Sequence, residues 1–226
     1  MASFEAIIFD FDGVIADSEA LANRVIAERV TALGRPTSLD DALHRYQGRR
    51  WAEAMALIAE DIGRPLPPGF SEDLLALLRA SFRTELREVP GTSDFIRRFA
   101  GMRRCIASSS GLDRLHHGLA LLKLAEHFDG AVYSAEMVAR GKPHPDLFLH
   151  VARSVAVRPE DCLVVEDSVV GVAAARSAGM TVFGFIGGAH LAGSDQAGRL
   201  AQAGARRVFS DMAALPALLQ AEAAPA

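Results

Sequence analysis

The spacing of apolar residues changes period along this chain, and the changes mark out its elements. Ala6-Ile7-Ile8-Phe9 is an uninterrupted apolar run stopped by Asp10-Phe11-Asp12-Gly13. A run this short, bounded by a turn signal, predicts a strand buried on both faces. The period then becomes helical. Leu21, Val25, Ile26, Val30 and Leu33 recur on one face of a helix over 20–33, closed by Gly34 and Pro36. Further amphipathic stretches predict helices over 38–46, 51–62 and 71–86, with Ser38 and Ser71 as caps. No strand signal occurs between residues 17 and 89.

Pro90-Gly91 punctuates a return to alternation. Strands are expected over 105–108, 131–133, 162–166, 181–186 and 208–209. Helices are expected over 93–99, 112–124, 146–156, 169–178 and 212–220. Apolar strands alternating with helices predict an α/β fold, a Rossmann-like doubly wound parallel sheet covered on both faces. Residues 1–16 and 90–226 would form this core, with 17–89 inserted as a small all-helical cap domain.

Half of the 226 residues are hydrophobic, enough for a sizeable core, and the net charge is only −4. No basic surplus points to nucleic acid or an anionic membrane. Cys105 and Cys162 sit inside apolar runs and read as core residues. No apolar segment is long enough for a membrane span, and the N-terminus shows no signal-peptide pattern, so a cytoplasmic location is expected.

Candidate chemistry gathers at the strand ends, where ligands bind in such sheets. Asp10 and Asp12 share a face of the first strand, since alternate side chains point the same way. They read either as a solvated acidic corner or as paired carboxylates that need a divalent cation. Ser108-Ser109-Ser110-Gly111 reads as a helix cap or as hydroxyls and backbone N–H groups that hold a phosphate oxygen. Lys142, between Gly141 and Pro143, is a solvent lysine or a point charge aimed at a phosphoryl group. Glu166-Asp167-Ser168 reads as a helix cap or as a second acidic pair completing a cation site with Asp10.

In this order, the four pieces resemble the motifs of the haloacid dehalogenase superfamily: Asp10-Phe11-Asp12-Gly13-Val14, Ser108, Lys142-Pro143, and Glu166-Asp167-Ser168-Val169-Val170-Gly171. The helical insertion is similar to the cap of its phosphoglycolate phosphatase and β-phosphoglucomutase branch. The resemblance implies a magnesium-dependent phosphatase. Asp10 would be the nucleophile, Asp12 the general acid/base, and Ser108 and Lys142 the phosphoryl ligands, with the Ser109 N–H. Magnesium would be held by Asp10, Asp167 and the Asp12 backbone carbonyl, with Glu166 adjacent. Gly48-Arg49-Arg50 matches the substrate-specificity loop, where two arginines suit an anionic group. This loop and the 108–128 segment look similar to those of sugar-acid phosphatases. The implied partner is a small phosphorylated metabolite, and the implied assembly a monomer or weak homodimer.

The second aspartate disfavours a dehalogenase. A mutase of this branch carries a histidine at the place that matches Ala22 here, and a phosphonatase needs a cap lysine, whereas the only lysines are Lys123 and Lys142. The alternatives are a β-phosphoglucomutase-like enzyme and a non-catalytic phosphometabolite-binding protein.

Overall fold

Every side chain of β1 (Ala6–Phe9) is shut away from solvent, because β1 lies in the middle of the sheet. The computed structural model describes residues 4–128 and 130–223. Among them, β1 is joined by β2 (Arg103–Ser108), β3 (Val132–Ser134), β4 (Cys162–Glu166), β5 (Thr181–Phe185) and β6 (Arg207–Phe209), all parallel, in the order β3-β2-β1-β4-β5-β6. This is a doubly wound order, and the winding reverses beside β1, between β1 and β4. Ala6 stands opposite both Arg103 and Cys162, so the three central strands reach their carboxyl ends at nearly the same level.

Strand alternation divides the interior into two apolar clusters. Ile7, Phe9, Ile106, Leu163, Val165 and Phe183 point into one; Ala6, Ile8, Cys105, Ala107, Val164 and Val182 point into the other. The first is closed by α5 (Thr92–Arg98), α6 (Leu112–Leu121) and α10 (Leu215–Ala223), and the second by α7 (Asp146–Ser154), α8 (Val169–Ser177) and α9 (Gln196–Gln202). Covering both faces is what a sheet of near-continuous apolar strands requires.

Four helices lie between β1 and α5: α1 (Glu19–Ala32), α2 (Leu39–Tyr46), α3 (Trp51–Ile62) and α4 (Phe70–Glu85). The apolar sides of α1 and α4 meet through Val30, Leu74 and Leu78, continuous with the first cluster. Ser38 caps α2 in a reciprocal bond with Asp41, as its spacing predicts. Ser71 caps nothing. Gly69, with φ +78°, forms the cap, the helix starts at Phe70, and the Ser71 hydroxyl accepts the Trp51 indole N–H at 2.9 Å. The chain leaves the sheet and returns side by side. Ala16 pairs antiparallel with Glu88, the Asp17 N–H bonds Arg87 O at 2.9 Å, and the Val89 N–H bonds Ile15 O at 2.9 Å.

Other departures from expectation are local. β2 starts two residues early, because pairing with Ala6 extends its ladder to Arg103. The helix after β2 stops at Leu121, Lys123 turns into the left-handed region at φ +58°, and a 3-10 turn follows at Ala125–Phe128. The final helix begins at Leu215 after a 3-10 turn at Met212–Ala214. α9 carries one large apolar residue, Leu200, and so leaves no periodic stripe in the sequence.

Candidate active site

The parallel register brings the ends of β1, β2 and β4 together at the reversal of winding, and with them Asp10, Asp12, Ser108, Glu166 and Asp167, all buried. Lys142 comes from the loop before α7, inside a short turn closed by His144 N–H to Gly141 O, and is followed by a cis Lys142–Pro143 bond. Its ammonium bonds Asp10 Oδ1 at 2.9 Å and Glu166 Oε2 at 2.7 Å, and lies over the Phe148 ring. Burial works against that charge, yet the two carboxylates outweigh it and hold Lys142 above the usual lysine range.

Asp10, Glu166 and Asp167 each offer an oxygen within 4.8 Å of the others. One lysine does not neutralise three carboxylates. Burial and then Glu166 push Asp10 and Asp167 well above the usual carboxylate range, with Lys142 pulling down only in part. Asp167 Oδ2 is buried and accepts no hydrogen bond. Surplus negative charge, oxygen-only donors and an orphaned carboxylate oxygen fit a hard divalent cation.

Asp12 belongs to a different network. Its Oδ1 accepts from Ser18 Oγ at 2.5 Å and from Arg114 Nη2 at 2.5 Å, and its Oδ2 from Ser110 Oγ at 2.6 Å and Ser108 Oγ at 3.4 Å. Burial alone would raise its pKa, but Arg114 and the hydroxyls overcome this and hold it below the usual range. The two aspartates one residue apart are thus in opposite electrostatic states.

Two glycines make the close approach possible. A Cβ on Gly171 in the first turn of α8 would lie 2.0 Å from the Glu166 carboxyl carbon. Gly13, at φ +83°, would place a Cβ 2.1 Å from Asp167 Oδ2. Ser168 caps α8 by accepting the Gly171 N–H at 3.0 Å, while its own N–H and hydroxyl bond Glu166 Oε1. Helix cap and acidic site are therefore one construction.

Over the carboxylates is a cleft of about 60 Å³, lined by Asp10, Asp12, Ser108, Ser109, Lys142 and Asp167, with Gly48 and Arg49 at its helical side. Arg50 is not brought there. Its guanidinium donates to the carbonyls of Ala135, Val138 and Ala139, ahead of Lys142, which ties the start of α3 to the segment that follows β3. The expectation of Arg50 as a substrate ligand is corrected accordingly: its donors are spent on backbone oxygens. Beyond Arg49, Trp51, Ser110 and Arg114 the space widens into a second cavity of about 400 Å³ between α4 and α6.

Ser18, Arg114, Glu19 and His190 escaped the sequence reading. Arg114 lies in the first turn of α6, where a cation opposes the helix dipole; that misplacement was the available signal. Glu19, at the start of α1, resembles an ordinary first-turn acid but is buried against the cleft. Burial, then Asp12 and Asp167, push its pKa up to about 8. His190, in the 3-10 turn Ala189–Leu191, sits beside Asp167 and left no signal in a Gly- and Ala-rich stretch.

Residues 4–179 match the family model of haloacid dehalogenase-like hydrolases. The chain is 27% identical over 191 residues to the 6-phosphogluconate phosphatase of Escherichia coli, covering 84% of this chain and 86% of that one. It is 31% identical over 201 residues to hexitol phosphatase B of the same organism, covering 77% and 80%. Among solved structures, a haloacid dehalogenase-like protein of unknown function from Agrobacterium tumefaciens superposes with a TM-score of 0.82 at 36% identity over 98% of this chain and 100% of that one. A hydrolase from Deinococcus radiodurans with bound phosphate and sodium gives 0.78 at 33% identity over the full length of both.

Proposed function

Since the chain belongs to the haloacid dehalogenase-like hydrolases, we propose that it is a magnesium-dependent phosphatase that hydrolyses a small phosphomonoester, a sugar phosphate or sugar-acid phosphate, through an aspartyl-phosphate intermediate. The observation that carries this reading is the separation of the two aspartates. Asp10 lies among lysine and acids, and Asp12 among arginine and hydroxyls.

Asp10, Asp167 and the Asp12 carbonyl would hold the cation, with Glu166 beside them. Bound there, magnesium supplies positive charge that keeps Asp10 ionised and offsets the charge of the phosphoryl group. Lys142 adds to that neutralisation, and the Ser108 hydroxyl and Ser109 N–H hold phosphoryl oxygens. A carboxylate oxygen of Asp10 bonds to phosphorus as the ester oxygen leaves, and Asp12 gives that oxygen its proton. Asp12 then takes a proton from water. The water oxygen attacks phosphorus, the bond to Asp10 breaks, and phosphate and both aspartates are restored. Residues 17–89 act as a cap over the core, exclude bulk water and present Arg49 to the substrate. The names of the two Escherichia coli relatives support a phosphorylated sugar derivative as substrate.

Phosphate release with magnesium across a panel of sugar phosphates, sugar-acid phosphates and phosphoglycolate tests this. The intact protein should release phosphate, and Asp10→Asn should release none while keeping its circular dichroism spectrum. An isomerised sugar phosphate without free phosphate would indicate a mutase. No turnover of any phosphomonoester would sink the catalytic reading.

A further inference from the structure

The His190 side chain has no solvent exposure, and neither of its ring nitrogens has a hydrogen-bond partner. Its Nε2 stands 3.1 Å from Asp167 Oδ2, itself unpartnered. The separation is a hydrogen-bond length; only alignment is lacking. A buried polar atom left unpaired loses its water partner without replacement, so two facing orphans favour pairing with one another.

The space around the imidazole is made for it. A Cβ on Gly13 would lie 2.7 Å from His190 Cε1, and one on Gly188 would lie 2.8 Å from the same atom. Gly13 needs its positive φ in any case, but Gly188 has an ordinary φ of −66°, so its backbone does not demand glycine. What a side chain at Gly188 would strike is the imidazole and the Gly13 carbonyl. The segment is held from both ends. The Ala189 N–H bonds Asp17 Oδ1 at 3.1 Å, and Gln196 Nε2 bonds the Asp167 carbonyl at 2.7 Å.

We infer that His190 is a positioning residue for the cation site, donating a hydrogen bond to Asp167 Oδ2 that fixes how this carboxylate faces a divalent ion. The inference rests on the reading of Asp10 and Asp167 as cation ligands. His190 is not a ligand itself, since the close grouping of donor atoms is Asp10, Glu166 and Asp167 without it. Outer partners of this kind fix the orientation of a ligand, and their loss costs roughly 10–100-fold in metal affinity.

The test is calorimetric titration of the full chain with Mg²⁺, and Mn²⁺ binding followed by electron paramagnetic resonance. His190→Phe keeps a ring and removes the donor; His190→Gln keeps a donor. The expected result is Mn²⁺ and Mg²⁺ affinity weakened about 10–100-fold in His190→Phe, largely retained in His190→Gln, with lost turnover recovered at raised Mg²⁺. Wild-type affinity in folded His190→Phe would overturn the inference. Equal loss in both folded variants would also overturn it, by assigning the effect to packing. Should a variant not fold, ¹H–¹⁵N spectra of the wild-type imidazole decide: a proton on Nε2 that shifts on cation addition supports the bond, and a proton confined to Nδ1 excludes it. Asp167→Asn separates the two levels. If it abolishes cation binding and His190→Phe does not, only the role of His190 fails; if the wild type binds no cation, the cation reading fails with it.

Discussion

Arg114 places its guanidinium 2.5 Å from Asp12 Oδ1 and over the Phe82 ring of α4, 5.0 Å from the centroid. It thus joins the proposed acid/base group to the helical segment. With Arg114 in place Asp12 is biased toward the carboxylate, the form that takes a proton from water in the second half of the proposed reaction. Removing the guanidinium in Arg114→Met should raise the Asp12 pKa. An acid is protonated below its pKa, so the alkaline limb of the kcat profile should move to higher pH. Arg114→Lys should move it less. An unchanged profile in the folded Met variant would show that Arg114 does not govern Asp12.

Lys142 is the lone ammonium between Asp10 and Glu166, its side chain 2% exposed. Lys142→Met would leave both carboxylates buried without it. In chelator the variant should lose roughly 3–5 kcal/mol of stability in urea unfolding, the cost of stranding one side of a buried pair. Saturating Mg²⁺ should restore part of this while kcat remains depressed about 10²-fold or more.

Glu19 makes stability depend on pH. Its folded pKa of about 8 lies above the ordinary value of 4.5, so between these values the folded protein retains a proton that the unfolded chain has released. Stability falls as pH rises through this window, and the full penalty, on the order of a few kcal/mol, is present above about pH 8. Glu19→Gln imitates the protonated form. Its Tm should exceed that of the wild type at pH 8.5 and match it near pH 5; equal Tm values at both pH values would contradict the buried, protonated carboxyl.

Arg49 and Arg50 should separate cleanly. Arg49→Ala should raise KM for substrates carrying a second anionic group, with Tm unchanged, because Arg49 is exposed at the cleft. Arg50→Ala leaves three carbonyls without their donor and should lower Tm by several degrees. The reverse pattern would show that their roles are exchanged.

The sequence was most legible where one chemical pattern had one physical outcome. Ala6–Phe9 reads as a buried strand, and the acids and serine at the ends of β1, β2 and β4 had to meet once the sheet was parallel. It was silent where tertiary contacts decide. Nothing in Gly48-Arg49-Arg50 says which guanidinium meets the carbonyls of 135–139. Arg114 and Glu19 hide among the polar residues of amphipathic helices. Their burial comes from the packing of α6 against α4 and of α1 over the strand ends. His190 and α9 lie where alanine and glycine leave no hydrophobic period to read.

The paired crossing at Ala16 and Glu88 gives the helical segment a single doorway. Antiparallel partners stand only about 5 Å apart. The chain therefore begins and ends its excursion at almost one point, and the strands never register how long that excursion is. Such a port leaves the length of the segment open: residues could be added or removed in the connection between α3 and α4, far from this crossing, without altering the frame that aligns Asp10, Lys142 and Asp167.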